Sequence, residues 1–481
     1  MSSALSLTDE QLRIVESFQS QESLAIQALA GTGKTATLIA LAESAPHLRG
    51  HYFAFNEGVA RDAGTRLPPN TTCSTTHAFA LSSVRALGFD SATKLLNNAN
   101  VPMIETVLPD AVFAAPVSGS GRCWNRVTPR QFAVLVHSTI RNFVRSDTST
   151  ITWEHLPDTP FLHERAAKEH FFGEYGVVIK HVWNRMADPS DAFPLGHDGY
   201  LKLWALAEPQ IAVDFILLDE AQDTTDVMLG VLRRQACPIV YVGDSHQQIY
   251  GWRGAVNALG KVRCDSTCTL TTSFRFGPNI AEIANRILCG LGPLRLKGFR
   301  ESDEVHLTRV PTRAVLCRTN RDALEEAFRG ITEKKKIHII GGIEDLLVLL
   351  RDVEKLANGR PADHPDLFGF EGLNDLSEFC ERWPDSAGTL SVILNLRKQF
   401  GSSQIERALI SSVADERTAD LTISTVHRAK GLEWDSVRLS EDFCFRKGGV
   451  SEAEKRLHYV GVTRAKSTLC LSDSVLQHIS F

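Results

Sequence analysis

A run of small residues that ends in a lysine and a threonine lies between a predicted strand, Leu24 to Ala28, and a predicted helix that begins at Thr35. Gly31 and Gly33 let backbone N–H groups approach a phosphate closely. Lys34 can reach the terminal phosphates of a nucleotide, and Thr35 can offer its hydroxyl to Mg²⁺. This segment therefore predicts a site for a nucleoside triphosphate.

Two carboxylates follow a second apolar run, Phe215 to Leu218, which has the composition of a buried parallel strand. Asp219 is placed to hold the metal ion, and Glu220 to orient or deprotonate an attacking water molecule. An acidic pair alone is usually a solvated loop. Together with the Lys34 segment, the pair predicts nucleotide hydrolysis.

The chain has 481 residues, a formal net charge of −5 and ten cysteines without a CxxC pair. Its length allows about three domains with large cores. Because there is no overall basic field, binding of a nucleic acid would need a local groove. The cysteine pattern does not indicate zinc or redox chemistry, and no apolar run is long enough to span a bilayer. We therefore expect a soluble protein of a reducing compartment with no membrane partner.

Short apolar runs alternate with helical patterns such as Thr35 to Ala42, and this alternation predicts an α/β protein. The predicted strands form two series, each interrupted by a long gap that predicts an inserted subdomain, near 84 to 204 and 341 to 420. In chain order the strands are Leu24 to Ala28, His51 to Phe55, Phe215 to Leu218, Ile239 to Val242 and Cys268 to Thr272, then Ala314 to Cys317, Ile337 to Ile340, Leu421 to Thr425, Val437 to Leu439 and Leu469 to Leu471.

The string Gly243 to Ala255, which includes Gln247, Tyr250, Trp252 and Arg253, resembles motif III of the UvrD/Rep-type superfamily 1 DNA helicases. Seven further segments match motifs of that family in the same order. They are Gln11 (Q motif), Ala28 to Thr35 (I), Phe53 to Ala63 (Ia), Ser74 to Phe79 (Ib), Thr272 to Arg275 (IV), Ser424 to Trp434 (V) and Glu454 to Ala465 (VI). The segment Gly196 to Trp204 is similar to the F-box DNA helicase subgroup, although no F-box region is expected because motif I begins near residue 28.

The resemblance implies a P-loop NTPase of two RecA-like parallel-sheet domains with helical insertions. The first domain takes 1–83 and 205–268, with a DNA-contacting insertion at 84–204. The second takes 269–340 and 421–481, with a reduced insertion at 341–420. ATP is expected between the two RecA-like domains, where Arg275 and Arg464 reach the γ-phosphate and Gln247 senses it.

The same resemblance implies the remaining site residues. The nucleotide is expected to contact Gln11, Ala30, Gly31, Thr32, Gly33, Lys34, Thr35, Phe274 (stacking on adenine) and Glu433 (near the ribose), with Mg²⁺ on Thr35 and Asp219. DNA is expected to contact Phe55, His77, Tyr250, Trp252, Arg253, His427 and Lys430. For Phe274 and Trp252, interior packing is the alternative. His197, Tyr200, Lys202 and Trp204 either line the DNA path or belong to a packed hairpin.

The function that the resemblance implies is ATP-dependent 3′ to 5′ helicase or single-stranded DNA translocase activity in DNA repair or recombination control. Its cofactors are ATP and Mg²⁺, and its partners are single-stranded and tailed duplex DNA with recombination or repair proteins. The expected location is the cytoplasm at the nucleoid, or the nucleus in a eukaryote. One alternative is a translocase that displaces proteins from DNA, or a motor subunit of a defence or repair complex. Less favoured are a nucleotide-gated DNA-binding module and a small-molecule kinase.

Overall fold

A computed structural model gives the fold. It describes residues 7–479 except 20–21, 87, 90–91, 109–117, 120–121, 124–128, 160–161, 163, 252–254, 342, 361, 363, 365–366, 368–369, 371, 383 and 445–449. The chain forms two compact units. The first comprises Met1–Ala28 and Lys34–Leu270, and the second comprises Leu29–Gly33 and Thr271–Phe481.

The first unit contains a six-stranded parallel sheet of order β10-β1-β8-β6-β2-β3. Its strands are β1 (Leu24–Ala28), β2 (Gly50–Ala54), β3 (Thr71–Thr75), β4 (Ser118–Gly119), β5 (Arg122–Cys123), β6 (Phe215–Leu218), β7 (Thr224–Thr225), β8 (Ile239–Gly243), β9 (Ala255–Val256) and β10 (Ser266–Leu270). Its helices are α1 (Asp9–Gln19), α2 (Lys34–Ser44), α3 (Glu57–Arg66), α4 (Thr76–Arg85), α5 (Ala92–Leu96), α6 (Val101–Glu105), α7 (Pro129–Arg145), α8 (Arg165–Ala187), α9 (His197–Leu206), α10 (Asp226–Arg233) and α11 (Ala258–Lys261).

Both faces of this sheet are buried, which explains why β6 is apolar at every position. Phe215 and Leu217 pack in a core with α1 and α2. Ile216 and Leu218 face the opposite way, into a core that continues through helices α4 to α10. The helical layer built by the insertion therefore covers one face of the sheet.

The second unit contains another six-stranded parallel sheet, of order β13-β18-β17-β14-β16-β15. Its strands are β11 (Thr272–Ser273), β12 (Lys297–Gly298), β13 (Glu304–His306), β14 (Ala314–Cys317), β15 (Ile337–Ile339), β16 (Leu421–Thr425), β17 (Trp434–Leu439) and β18 (Ala465–Cys470). Its helices are α12 (Pro278–Cys289), α13 (Asn320–Thr332), α14 (Glu344–Ala357), α15 (Leu373–Arg382), α16 (Pro384–Phe400), α17 (Ser402–Ile410), α18 (Val426–Ala429), α19 (Glu452–Val462) and α20 (Asp473–Ile479).

The predicted α/β class with two parallel sheets is confirmed, and the strand bounds differ in detail. The sheets contain two strands that the apolar runs did not predict, β3 and β13. The predicted domain boundary at residue 268 falls inside β10, which ends at Leu270 and pairs with β1. The predicted insertion limits at 84 and 204 fall inside α4 and α9. The four-part domain division itself stays a prediction.

The helices of the described part of the chain include none with both the length and the apolar composition needed to cross a membrane.

Candidate nucleotide and DNA site

A partly buried ion pair joins the two clusters of the first unit from which the sequence predicts nucleotide chemistry. The Lys34 Nζ, at the start of α2, lies 3.1 Å from the Glu220 Oε1, just beyond β6. The two side chains are only 13% and 21% exposed. Burial by itself lowers the pKa of Lys34, but Glu220, Asp244 and Asp219 outweigh it and raise the pKa above its ordinary value. The ammonium group is therefore charged and surrounded by carboxylates.

Glu220 has an unusual backbone for a residue with a side chain, because its φ is +51° and its ψ is +44°. Non-glycine residues rarely adopt the left-handed region, and such residues cluster at functional sites. Gln222 donates a hydrogen bond from its Nε2 to the second carboxylate oxygen of Glu220. The carboxylate is thus held on one side by a cation and on the other by an amide.

Asp219 is buried at the end of β6 and accepts two hydrogen bonds. The Tyr52 hydroxyl donates to its Oδ2 at 2.6 Å, and the Glu220 N–H donates to its Oδ1 at 2.9 Å. Burial, with the nearby charge of Glu220, raises the pKa of Asp219 to about 6. The Thr35 side chain interacts with the same Tyr52 hydroxyl.

The Thr35 and Asp219 side chains, which are expected to bind Mg²⁺, therefore both contact the Tyr52 hydroxyl. Thr35 supplies a hydroxyl and Asp219 a carboxylate, and Mg²⁺ is typically held by one or two protein oxygens while it keeps several waters. This donor set fits Mg²⁺. Tyr52, fully buried on β2, was missed by the sequence analysis because one tyrosine in an apolar strand gives no signal.

A chain of amide and carboxylate hydrogen bonds continues from Gln222 toward the residue expected to sense the γ-phosphate. The Gln222 Oε1 accepts from the Asp244 N–H at 2.9 Å. The Asp244 Oδ2 in turn accepts from the Gln247 Nε2 at 2.7 Å. Gln247 is buried, and this chain connects its amide to the Glu220 carboxylate.

Gln11, expected to contact the nucleotide, is buried at the start of α1. The Thr8 N–H donates to its Oε1 at 3.0 Å, and its Nε2 donates to the Thr37 Oγ1 at 3.0 Å. The amide is thereby fixed in orientation against α2, the helix that begins with Lys34.

The segment Leu29–Gly33, which groups with the second unit, has a backbone that requires glycine at two positions. Gly31 and Gly33 have φ values of +75° and +79°. A Cβ on Gly31 would lie 2.5 Å from the Ser273 Oγ, so a side chain at that position would collide. The glycines of the predicted phosphate loop are therefore needed by its geometry.

The remaining loop residues are held by hydrogen bonds. The Ala30 N–H donates to the Tyr459 hydroxyl at 3.0 Å. The Thr32 hydroxyl donates to the Leu29 carbonyl oxygen at 2.8 Å, which closes the turn. Tyr459 lies in the segment matched to motif VI and was not among the predicted site residues.

In the second unit, Arg275 is fixed by an acid and a carbonyl. Its Nε lies 2.7 Å from the Glu433 Oε2, and its Nη1 donates to the Thr463 carbonyl oxygen at 2.9 Å. Burial alone raises the pKa of Glu433, but Arg275, Lys466 and Arg464 lower it below its usual value. The structure thus brings together Arg275, Glu433 and Arg464, which lie far apart in sequence.

Arg464, the other predicted arginine finger, is 2% exposed. Its Nε donates to the Val460 carbonyl oxygen at 3.0 Å, and its Nη1 donates to the Leu432 carbonyl oxygen at 3.3 Å. The guanidinium is directed into its own unit and not into solvent. Its action on a phosphate stays a prediction.

Phe274, expected to stack on adenine, is half-buried and packs against a phenylalanine that the motifs do not include. The ring centroids of Phe274 and Phe299 are 5.1 Å apart, with an angle of 58° between the planes. The Phe299 N–H donates to the Ser273 carbonyl oxygen at 2.8 Å, so the backbone fixes the pair. Phe299 is 65% exposed and offers an aromatic surface beside Phe274.

Two of the predicted DNA residues form an aromatic pair in the first unit. The rings of Phe55 and Tyr250 lie 6.2 Å apart at an angle of 17°, and Phe55 is 42% exposed. Stacked, partly exposed aromatic rings are the surface on which bases stack without sequence preference. Trp252 and Arg253, which follow in the same motif, lie outside the described residues.

The other predicted DNA residues are divided between the two units. His77, near the start of α4, has an exposed ring, and its Nε2 lies 3.6 Å from the Asp198 Oδ1. In the second unit, His427 and Lys430 are half-buried at the short helix α18 and the residue that follows it. Their contacts with DNA stay predictions.

The segment Gly196 to Trp204 forms the start and body of α9, and it is not a hairpin. Tyr200, Lys202 and Trp204 are each 1–2% exposed. The Lys202 Nζ donates to the Ser146 and Thr148 carbonyl oxygens at 2.7 and 2.5 Å. Of the two alternatives, the structure supports packing for these three side chains, in a helix and not in a hairpin, because α9 turns them into the interior of the insertion.

Two family models match this chain. Residues 200–260 match the UvrD/REP helicase N-terminal domain, and residues 324–475 match the UvrD-like helicase C-terminal domain. The first match contains Asp219, Glu220 and Gln247, and the second contains Glu433 and Arg464.

Three proteins illustrate the similarity. F-box DNA helicase 1 of Gallus gallus is 33% identical over 99% of this chain and 50% of its own length. F-box DNA helicase protein 1 of Schizosaccharomyces pombe is 31% identical over 98% of this chain and 58% of its own length. A probable DNA helicase of Mycoplasma pneumoniae is 24% identical over 54% of this chain and 43% of its own length. The chain thus spans about half the length of the F-box relatives.

Four findings agree: two parallel sheets, the partly buried Lys34–Glu220 pair, matches to both helicase family models, and similarity to two DNA helicases along almost the whole chain. The chain therefore contains the N-terminal and C-terminal domains of the UvrD-like helicases.

Proposed function

We propose that the chain is a DNA-stimulated ATPase that moves 3′ to 5′ along single-stranded DNA and unwinds duplexes, in DNA repair or recombination control. The observation that carries the proposal is the cluster of Lys34, Glu220 and Asp219, in which Asp219 is buried and the other two side chains are partly buried. A lysine held by a carboxylate at a helix N-terminus is prepared to exchange that carboxylate for a phosphate. The names of the two F-box DNA helicases support DNA as the partner.

Each residue of the cluster has a proposed task. Lys34 holds the terminal phosphates of ATP, and Thr35 and Asp219 hold Mg²⁺, which neutralises charge on the phosphoryl oxygens. Glu220, released from Lys34, orients the attacking water and accepts its proton. Gln222 keeps the Glu220 carboxylate in place throughout, because its amide bonds to the oxygen that does not face Lys34.

The cationic pair of the second unit has a complementary task. Arg275 and Arg464 stabilise the negative charge on the γ-phosphoryl oxygens, an effect that elsewhere increases rates by about 10³ to 10⁵. Glu433 holds Arg275 in position through its 2.7 Å ion pair until that charge develops. Phe274 and Gln11 contact the adenine ring.

DNA binding is assigned to the exposed aromatic rings and to the motif residues of both units. Phe55 and Tyr250 form the stacking surface, and Trp252 is assigned to base stacking by its motif alone. His77, Arg253, His427 and Lys430 contact the strand. Stacking that accepts any base is what a motor that moves along arbitrary sequence needs.

The test is the rate of ATP hydrolysis with and without single-stranded DNA, together with unwinding of duplexes that carry either a 3′ or a 5′ tail. We expect strong stimulation by DNA and unwinding of the 3′-tailed substrate only. Hydrolysis without stimulation would contradict the motor. Unwinding of the 5′-tailed substrate alone would contradict the polarity.

A further inference from the structure

A cavity of about 250 Å³ opens in the helical insertion of the first unit, away from the Lys34 cluster. It lies between the segment around Asn98, helix α7, the end of α8 and the start of α9. The volume is below the roughly 300–1,000 Å³ of pockets for drug-sized ligands. It therefore suits a small ligand or one unit of a larger one.

The cavity has an apolar floor. Ile104, Ile140 and Leu195 are each at most 4% exposed and line it together with Val144 and Met186. A surface of this kind gains free energy when it covers an apolar ring or chain. The floor alone would accept many apolar groups.

Its rim is cationic on one side. His137, Arg141 and Arg145 are spaced by four residues along α7, so they lie on one face of the helix. The Arg145 Nε is 3.0 Å from the Asp198 Oδ2, and the His77 Nε2 is 3.6 Å from the Oδ1 of the same carboxylate. Burial, Arg141 and Arg145 lower the pKa of His137, so its ring is neutral at pH 7.

The surplus charge of the rim is that of Arg141. Among the residues that the structure describes, no carboxylate lies within ion-pair distance of this exposed guanidinium. A guanidinium fork is suited to a phosphate, and an apolar floor beside it is suited to a flat ring. A nucleotide combines the two features, whereas inorganic phosphate lacks the ring and an apolar ligand lacks the charge.

We propose that this cavity binds one nucleotide of a single DNA strand, with the base on the apolar floor and its phosphate on Arg141. Its location supports a strand as the source, because Asp198 on the rim also contacts His77, a residue expected to touch DNA. A strand that passes His77 reaches the rim of the cavity. The inference rests on the proposed DNA-binding function and adds a discrete nucleotide pocket to it.

The test is fluorescence anisotropy of a labelled oligothymidylate over a salt series, with the whole chain. Arg141→Gln should weaken binding about three- to tenfold and reduce the slope of log affinity against log salt by about 0.7, the loss of one phosphate contact. The control Arg286→Gln removes an equally charged side chain, paired with Glu282 on α12 of the second unit, and should bind like the wild type. Equal binding by Arg141→Gln and the wild type would overturn the proposal.

A second arm asks whether a base enters. Ala99→Leu fills part of the floor and should weaken binding of the normal oligonucleotide about threefold, but leave binding of an oligonucleotide with abasic sites unchanged. An equal loss with both oligonucleotides would contradict insertion of a base. Thermal unfolding of each variant verifies that it is folded.

A third arm distinguishes a nucleotide of a DNA strand from a free nucleotide. It also distinguishes failure of this inference from failure of the proposed function. Free dTMP is added to the wild type and to the Arg141→Gln variant, each with the oligonucleotide bound. If dTMP displaces the oligonucleotide from the wild type no better than from the variant, the strand assignment stands. If dTMP binds through Arg141 while strand affinity does not depend on Arg141, the pocket serves a free nucleotide and the strand assignment is wrong. A wild type that hydrolyses ATP but binds no oligonucleotide would overturn both this inference and the proposed function.

Discussion

Two lysines of the first unit, Lys34 partly buried and Lys202 fully buried, have opposite surroundings. Lys34 faces the carboxylates of Glu220, Asp219 and Asp244, which raise its pKa. Lys202 donates to two backbone carbonyl oxygens and lies 4.3 Å from the centre of the Phe143 ring. Burial lowers the pKa of Lys202 to about 8.

The difference shows that the partners of a buried cation, and not its burial, indicate its function. Carboxylates around Lys34 can exchange for the oxygens of a phosphate and a metal ion. Carbonyl oxygens around Lys202 belong to the backbone of residues 146–148 and fix that turn onto α9. The first lysine is therefore assigned to chemistry and the second to stability.

The largest expected effect is that of Lys34→Ala. Loss of the ammonium removes a charged contact to the reacting phosphates, so DNA-stimulated ATP hydrolysis should fall at least about 100-fold. The free energy of unfolding should change little, since the variant also relieves the burial of a charge. Steady-state hydrolysis and urea unfolding measure the two. A variant that keeps most of its activity would place Lys34 with Lys202 as a structural group.

Lys202→Met should show the reverse pattern. The variant keeps the length of the side chain but removes the Lys202 donor from the Ser146 and Thr148 carbonyl oxygens, so the free energy of unfolding should fall by about 1–3 kcal/mol. ATP hydrolysis per folded molecule should not change. The matched control is Lys180→Met, an exposed lysine 5.4 Å from the Phe172 ring, which should change stability by less than about 1 kcal/mol. A hydrolysis defect in Lys202→Met without unfolding would break the comparison.

The pKa of Lys202 also predicts a pH dependence. Since burial lowers the pKa of Lys202 from its ordinary value of 10.5 to about 8, the unfolded chain binds the proton more tightly between these limits. The contribution of Lys202 to the free energy of unfolding should therefore increase as the pH rises from 8 toward 10.5. The difference in stability between the wild type and Lys202→Met, measured at pH 7 and pH 9.5, isolates this contribution. A difference that shrinks at pH 9.5 would contradict the assignment.

Tyr52→Phe examines the Lys34 side of the comparison through its metal-binding residues. Loss of the hydroxyl frees Thr35 and Asp219 from their common partner, so about three- to tenfold more Mg²⁺ should be needed for half-maximal hydrolysis, by analogy with other residues that orient metal ligands. Tyr241→Phe is the control, because Tyr241 is buried on β8, the strand that pairs with β6, and its hydroxyl hydrogen-bonds to no side chain or backbone group that the structure describes. An equal Mg²⁺ requirement in both variants would remove Tyr52 from the site.

The smallest expected effect is that of Phe299→Ala. Removing the exposed ring beside Phe274 should raise the KM for ATP about two- to fivefold with little change in kcat, because it removes contact area for the adenine. Phe400→Ala, which disrupts an exposed pair with Phe328 in the same unit, is the control and should leave the KM unchanged. A lower kcat at an unchanged KM would contradict a role in base contact.

The sequence predicted those strands that are continuous runs of apolar residues. It also predicted those site residues that lie in recognisable motifs. Strands such as β6 and β16 have the predicted bounds. The strands β3 and β13, each at one edge of its sheet, were not predicted because they consist largely of polar or charged residues. Edge strands bury less surface and so need no apolar run.

What the sequence could not predict are partnerships between distant residues. Tyr52 lies 167 positions from Asp219, and only the adjacency of β2 and β6 in the sheet joins them. The burial of Lys202 likewise depends on carbonyl oxygens 54 and 56 positions away. In the sequence, Tyr52 and Lys202 are each a single polar residue among apolar ones. Only the fold determines that the first faces the predicted metal site and the second faces the interior of the insertion.

The most direct test of the account is a structure of the chain with Mg²⁺ and a non-hydrolysable ATP analogue. We predict that Lys34 leaves Glu220, that its Nζ contacts the terminal phosphates, and that Lys202 keeps both of its carbonyl partners. A nucleotide bound elsewhere, with the Lys34 Nζ still 3.1 Å from the Glu220 carboxylate, would contradict it.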